Sequence, residues 1–125
     1  MKIKGIVWLG TRTSNFDAMV NLYQNMTGIE ITHQEPRFVV MYLPNSDRIE
    51  VFGMKQCLTT FFTNPVAGSL VDDTASARAE IEVQGIEFIG PIETAEDGNA
   101  CSHFHAPDEF IYELTYDPKH PSLNV

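Results

Sequence analysis

Hydrophobic residues in the first half of the chain recur at strand spacing, then at helical spacing, then again at strand spacing. Residues 3–9 are mostly β-branched or aromatic, which is typical of a strand. Ser14 is a candidate helix N-cap with Asp17 three residues later, and Gly28 stands where a helix would end. One helical face between them is apolar, formed by Phe16, Met19, Val20, Tyr23 and either Met26 or Thr27. These spacings predict a strand followed by a helix.

Three further strands are predicted after this helix, at residues 29–34, 37–43 and 48–53. The last two are separated by residues 44–47, Pro-Asn-Ser-Asp, whose Pro and Asn favour a tight turn. The first half of the chain therefore predicts the element order β-α-β-β-β.

The second half of the chain predicts the same order again. A short strand at residues 66–71 is followed by a helix that Asp72 or Asp73 can cap and that runs to about Gln84, with Gly85 behind it. Three strands then follow, at residues 87–92, 101–106 and 110–116. Residues 81–83 also alternate like a strand, which leaves a second interpretation for the helix.

The two halves also share letters. Gly-Ile-Glu-Ile at residues 28–31 recurs as Gly-Ile-Glu-Phe at residues 85–88, a repeat of about 57 residues. We therefore predict an α+β fold of two tandem βαβββ modules within a single domain, residues 1–125. Module one covers about residues 1–55 and module two about residues 64–118.

Composition narrows the possible partners. Hydrophobic residues make up 43% of the chain, which suits a folded domain, and the formal net charge is −9 with no basic cluster. Nucleic acid and anionic membranes are unlikely partners, because each would need a basic footprint. The N-terminus is interpreted as a strand rather than a signal peptide. The two cysteines, Cys57 and Cys101, form no disulfide framework, which favours a cytoplasmic location.

The last predicted strand of each half carries one glutamate. Its side chain points to the face opposite to that of the strand's adjacent aliphatic residues. In residues 48–53, Glu50 and Phe52 alternate with the aliphatic side chains. In residues 110–116, Glu113 shares a face with Ile111. If one face of each sheet is covered by a helix, both glutamates point to the other face.

The order and spacing of these elements resemble those of the vicinal oxygen chelate superfamily, the glyoxalase, bleomycin resistance and extradiol dioxygenase fold. The marks lie between about Lys2 and Tyr116, at Leu22-Tyr23, Thr27-Gly28, Val71-Asp72-Asp73, Gly85, Pro91 and the segment APDEFIYEL, residues 106–114. That segment departs from the Asp-Pro-Asp-Gly-Asn turn that is usual in the family. The resemblance implies two modules that pair into a cup-shaped site, and homodimerisation.

The resemblance also implies a metal-ligand pattern that this chain keeps only in part. In metal-dependent members, His or Gln on the first strand of each module and Glu on the last bind the ion. Glu50 and Glu113 match the last-strand positions, whereas Trp8 and Val66, or its neighbour Pro65, stand at the first-strand positions. None of these three side chains can bind a metal, so the usual chelate is incomplete.

His103 and His105 lie on one face of a predicted strand next to the strand of Glu113. They could form a His-His-Glu metal set within module two, with Glu50 as a further ligand, or they could face solvent. Cys101 shares their face, but nothing in the sequence marks it as an activated thiol.

Several residues are candidates for a ligand site or for proton transfer. A carboxyl group among apolar neighbours is suited to general-base chemistry, which makes Glu50 and Glu113 candidate catalytic residues. The candidate ligand-binding residues are Trp8, Phe38, Tyr42, Phe52 and Ile111. Phe61 and Phe62 are candidates for the same pocket or for a dimer interface.

Three functions follow from these observations. The first is a small-molecule-binding protein without the usual metal, whose acidic chain favours a cationic ligand. The second is a metal-dependent glyoxalase-like lyase, isomerase or dioxygenase that uses Glu50 or Glu113. The third is a regulatory or interaction protein that has kept the fold and lost the chemistry.

Overall fold

The computed structural model describes residues 1–54 and 64–124. The chain divides into two units, and the predicted β-α-β-β-β order is confirmed in each. The first unit is Trp8–Val66; the second unit combines Met1–Val7 with Ala67–Val125. The unit boundaries fall inside the first strand and after the first residue of the fifth strand.

The elements of the first half are β1 Ile6–Thr13, α1 Phe16–Asn21 with a π-helical turn at Leu22–Met26, β2 Ile31–Glu35, β3 Phe38–Tyr42 and β4 Arg48–Gly53. Those of the second half are β5 Val66–Leu70, α2 Thr74–Val83, β6 Phe88–Thr94, β7 Ala100–His105, β8 Ile111–Tyr116 and a 3₁₀ turn at Pro121–Asn124. The α+β class is confirmed. Among the described residues, no helix is both long and apolar enough to cross a membrane.

The sheet of the first unit has the order β2-β3-β4-β1, with β1 parallel to β4 and the other pairs antiparallel. One face of this sheet is covered by α1 and its π-helical turn. The buried residues of that face are Val39, Met41, Ile49 and Val51, and Phe16, Met19, Val20 and Tyr23 of the helical segment pack on them. The predicted apolar helix face is therefore confirmed for these four residues, whereas Met26 and Thr27, the alternatives predicted for its end, are both exposed.

The sheet of the second unit has the order β5-β8-β7-β6, with β5 parallel to β8. The start of the chain is hydrogen-bonded to β5 of this sheet, because the N–H of Lys4 donates to the carbonyl of Leu70 at 2.9 Å. Helix α2 covers one face and packs Ala77 and Ile81 against Leu114. The position of Ile81 in this core decides in favour of a helix over the strand interpretation.

The helix starts were predicted with mixed success. The N-cap of α1 is Asn15, so the predicted Ser14 cap is wrong. The strand β1 continues to Thr13, whose hydroxyl accepts from the Asn15 N–H at 2.9 Å, and the helix therefore starts one residue later. At α2, Asp73 is the cap and accepts from the Ser76 N–H at 3.0 Å.

The boundaries of β1 also differ from the prediction. The strand begins at Ile6 rather than residue 3 and runs to Thr13 rather than residue 9. The polar residues at its end are held in the strand because Thr11 pairs with Val51 and Thr13 with Gly53. Pairing with a buried neighbour outweighs the low hydrophobicity of this segment.

Candidate functional site

The sheet of the first unit has a second face, opposite to α1, which we call the non-helical face. Residues that pair across a sheet point to the same side, and residues two apart in a strand do so too. The pairs Trp8 with Arg48 and Phe38 with Phe52 therefore lie on this face. Its polar and aromatic members are Trp8, Arg12, Phe38, Tyr42, Arg48, Glu50 and Phe52.

Glu50 lies at the centre of the non-helical face, and its carboxylate has two donors. The residue is 8% exposed. The indole Nε1–H of Trp8 donates to Oε2 at 2.8 Å, and Nη1 of Arg48 lies 3.3 Å from the same oxygen. The indole ring lies over Gly10, where a β-carbon would overlap it. Trp8 is therefore a hydrogen-bond donor to Glu50 as well as an aromatic surface.

Arg48 connects Glu50 to Tyr42. Its Nη2 donates to the Tyr42 hydroxyl at 2.5 Å, and its guanidinium carbon lies 5.1 Å from the centre of the Tyr42 ring. Burial acts to lower the pKa of Arg48, but the neighbouring Glu50 and Tyr42 outweigh it and raise that pKa. Arg48 was not among the residues predicted from the sequence, although Arg48 and Glu50 are two residues apart and therefore share one face of β4.

The aromatic candidates of the first unit lie together. The rings of Phe38 and Phe52 are stacked, with centres 5.0 Å apart and planes inclined by 24°. Phe38 also contacts the ring of His33 at 5.9 Å. The non-helical face thus has an apolar aromatic part beside an ion pair.

In the second unit, the face opposite to α2 holds a cluster of different chemistry. His103 pairs with Glu113, and Cys101 lies two residues before His103 on the same side of β7. His103 Nε2 and Glu113 Oε2 are 3.7 Å apart, and these residues are 6% and 4% exposed. One possible ligand atom from each of Cys101, His103 and Glu113 lies within 4.8 Å of the others. We call this set the β7–β8 cluster.

Burial lowers the pKa of His103 to about 4. The imidazole is therefore neutral at neutral pH, which is the form that binds metals and that can accept a proton. His103 and Glu113 form an ion pair only when the ring is protonated, so at neutral pH the cluster holds an uncharged imidazole beside a carboxyl group.

The predicted His103, His105 and Glu113 set is brought together only in part. His105 pairs with Ile111 at the end of the β7–β8 ladder, and its side chain is exposed. It is not a member of the β7–β8 cluster, whose third residue is Cys101. The predicted ligand-binding residue Ile111 is buried. Phe61, Phe62 and Cys57 lie outside the described residues.

Solved structures with the same arrangement of elements show what this fold is. Methylmalonyl-CoA epimerase from Mycobacterium tuberculosis matches with a TM-score of 0.72 and 17% identity, covering 94% of this chain and 91% of that chain. A methylmalonyl-CoA epimerase in complex with methylmalonyl-CoA and NH4+ matches with a TM-score of 0.72 and 14% identity over 95% of this chain and 98% of that one. A glyoxalase/bleomycin resistance protein/dioxygenase superfamily member from Vibrio splendidus 12B01 matches with a TM-score of 0.64 and 12% identity over 87% and 96%.

The chain has the vicinal oxygen chelate fold. No family model and no curated protein matches the sequence. The identities are so low that the likeness to these structures concerns the fold alone.

The resemblance in the sequence implied metal ligands on the first and last strands of each module, and the structure shows what stands there in this chain. In the first unit these are β1 with Trp8 and β4 with Glu50, and they face the same side of the sheet. An indole N–H and a guanidinium contact the carboxylate, and no metal ligand of the His or Gln type stands beside it on β1. In the second unit, the nitrogen and sulfur donors found near Glu113 among residues 1–54 and 64–124 come from β7 instead of β5.

Proposed function

We propose that this protein binds a small organic molecule at the non-helical face of the first unit, without the metal ion of the metal-dependent vicinal oxygen chelate proteins. The observation that carries the proposal is the environment of Glu50. Trp8 donates to its carboxylate at 2.8 Å and Arg48 lies at 3.3 Å. Arg48 supplies the positive charge that a metal ion would supply, so the carboxylate is compensated without one.

The chemistry of the face supports an organic ligand. Ligand sites are mainly apolar and carry a few polar groups that fix orientation. The stacked rings of Phe38 and Phe52 supply the apolar part, and Tyr42 and Arg48 supply the polar part. The net charge of −9 still favours a cationic ligand, while one structural neighbour binds an acyl-CoA ester, so both classes belong in a test.

The experiment uses the fluorescence of Trp8, which is the only tryptophan in the chain. The purified protein is titrated with aromatic cations, neutral aromatic compounds and acyl-CoA thioesters, in the presence of a chelator. We expect at least one class to change the emission in a saturable way, and Phe52→Ala to weaken that binding. Phe110→Ala is the control, because Phe110 is 54% exposed and belongs to the second unit.

Calorimetric titration of the same compounds checks for ligands that bind without changing the emission. A panel in which no compound binds by either method would contradict the proposal. Equal loss of binding in Phe52→Ala and Phe110→Ala would contradict the placement of the ligand on the non-helical face.

A second candidate function is proton transfer at the carbon next to a carbonyl group, with Glu113 as the base. Glu113 is 4% exposed and lies 3.7 Å from His103, whose ring is neutral at neutral pH, and the carboxylate of Glu50 contacts Trp8 and Arg48. Such a step fits both the name and the chemistry of the epimerases among the structural neighbours. An epimerase that inverts a carbon atom next to a carbonyl group begins by removing the proton from that carbon atom. This assigns the base to Glu113.

The test is exchange of the α-proton of acyl-CoA thioesters for solvent deuterium, followed by mass spectrometry. Glu113→Gln is expected to slow exchange by about 10²-fold or more, the usual contribution of a general base. Glu50→Gln makes the same chemical change at the other carboxylate and is the matched control. Undiminished exchange in Glu113→Gln, or equal loss in both variants, would refute the assignment.

Homodimerisation and a cytoplasmic location remain predictions from the sequence. Light scattering coupled to size-exclusion chromatography tests the first.

A further inference from the structure

The β7–β8 cluster brings three donors together from two neighbouring strands. Cys101 and His103 lie on the same side of β7 because they are two residues apart, and Glu113 is the cross-strand partner of His103. The three ligand atoms lie within 4.8 Å of one another, so small side-chain rotations can direct them to one point. The arrangement is built into the ladder of two strands and needs no loop.

The donor types indicate which ion would fit. A thiolate, an imidazole and a carboxylate form a mixed set that suits Zn²⁺ and related transition metals, whereas Mg²⁺ and Ca²⁺ prefer oxygen donors alone. Three protein ligands leave a fourth position for water or for an oxygen atom of a ligand.

We propose that Cys101, His103 and Glu113 bind one divalent transition metal ion of the Zn²⁺ class within the second unit. Two of the three donors come from β7, so this is a different ligand set from the first- and last-strand pattern that the resemblance implies. The proposal does not depend on ligand binding at the first unit.

Burial supports the site. Glu113 and His103 are 4% and 6% exposed on a face that also carries Ile111. An apolar shell of this kind limits the access of solvent to the donor atoms of a metal site.

The surroundings of Cys101 supply further polar groups. Thr115 is its cross-strand partner, and the buried Thr115 hydroxyl oxygen has no hydrogen-bond partner among residues 1–54 and 64–124. On the other side, the Cys101 thiol lies 3.9 Å from a carboxylate oxygen of the exposed Glu93. Cys101 is itself half-buried.

The test uses the full-length protein, kept reduced and stripped with a chelator. It is loaded with Zn²⁺, desalted and analysed for metal content, and a parallel sample is titrated with Co²⁺. We expect about one Zn²⁺ per chain, and a thiolate-to-cobalt charge-transfer band in the near ultraviolet. Both signals are measured without any organic ligand, so failure of the proposed small-molecule binding would not affect them.

Matched variants locate the site. Cys101→Ser should abolish the charge-transfer band, and His103→Ala should weaken binding by more than about tenfold, since even outer-shell changes cost that much. Cys57→Ser is the control for the other thiol. His105→Ala is the control for the neighbouring histidine, which lies on the same side of β7 but is exposed. Both controls should bind like the parent chain.

Three results would overturn the proposal: no metal retained by the parent chain, a cobalt spectrum without thiolate character, or equal effects of Cys101→Ser and Cys57→Ser. If His103→Ala fails to fold, the comparison of Cys101→Ser with Cys57→Ser and the parent cobalt spectrum still decide. Circular dichroism of each variant separates loss of the site from loss of the fold.

Discussion

Removing the positive charge next to Glu50 should destabilise the protein in a way that a second substitution reverses. Arg48→Met keeps most of the aliphatic length of the side chain and removes the guanidinium group. The carboxylate would then have Trp8 as a donor but no cation beside it. Breaking a fully buried ion pair in this way costs about 3–5 kcal/mol, and breaking an exposed one costs about 0–1 kcal/mol.

The structure places this pair between those limits. The side chains of Arg48 and Glu50 are 22% and 11% exposed, and the charged atoms are 3.3 Å apart. We therefore expect Arg48→Met to reduce the free energy of unfolding by about 2–3 kcal/mol. Glu50→Gln alone should cost about 1 kcal/mol, because the amide oxygen can still accept from Trp8.

The decisive comparison is the double variant. Once Arg48 has been replaced, Glu50→Gln removes an uncompensated buried charge, so it should raise the stability by about 1 kcal/mol instead of lowering it. The coupling energy between the two sites would then be about 2 kcal/mol, within the range for residues in contact.

Urea unfolding of the four proteins of the cycle measures these values. With a typical slope of about 1–3 kcal/mol per molar urea, the loss in Arg48→Met corresponds to a midpoint shift of about 0.7–3 M. Arg37→Met is the control, because Arg37 is exposed, and its effect should stay within about 0.5 kcal/mol. Additive effects within about 0.5 kcal/mol would refute the view that Arg48 compensates Glu50.

Three further predictions concern other parts of the chain. Asp73→Ala should cost about 1 kcal/mol in urea unfolding, because it removes the α2 cap, whereas Asp72→Ala should have a much smaller effect. The pKa of His103 is lower in the folded chain than in the unfolded chain, so the unfolded state binds more protons between pH 6.5 and about 4, and stability falls as the pH falls through that window. The slope, measured with a chelator present, should be up to about 1.4 kcal/mol per pH unit steeper than in His103→Gln. Gly10→Ala should displace the Trp8 indole, change its emission maximum and cost about 1–3 kcal/mol, and an unchanged emission would contradict the ring position over Gly10.

Alternation along single strands predicted much of the candidate site. The side of the sheet to which Glu50 and Glu113 point follows from a period of two residues, and the paired strands confirm it. The same rule put His103 on one face of a strand next to that of Glu113 once a hairpin was assumed, and the structure shows that the two residues are paired. Local rules also predicted α2, since an Asp cap and a following glycine are short-range signals.

The sequence could not show which side chains meet across strands that are far apart in the chain. Trp8 and Arg48 reach the same carboxylate because β1 pairs in parallel with β4, and the register of that pair is set by the burial of Ile49 and Val51 on the other face. The pattern within a single strand predicts the face of the sheet to which a side chain points. It does not predict which side chain of another strand lies next to it.

Strand pairing also explains why the third member of the β7–β8 cluster is Cys101 and not the predicted His105. Both residues share the side of β7 with His103, and their spacing from it is identical. Pairing decides between them, because His105 lies opposite Ile111 at the exposed end of the ladder, and Cys101 lies opposite Thr115 further inside. The amino-acid sequence by itself determined the order of elements and the facing of the carboxylates, which depend on local periodicity. Only the tertiary structure decided their partners, because register is a property of two strands and of the core on which both pack.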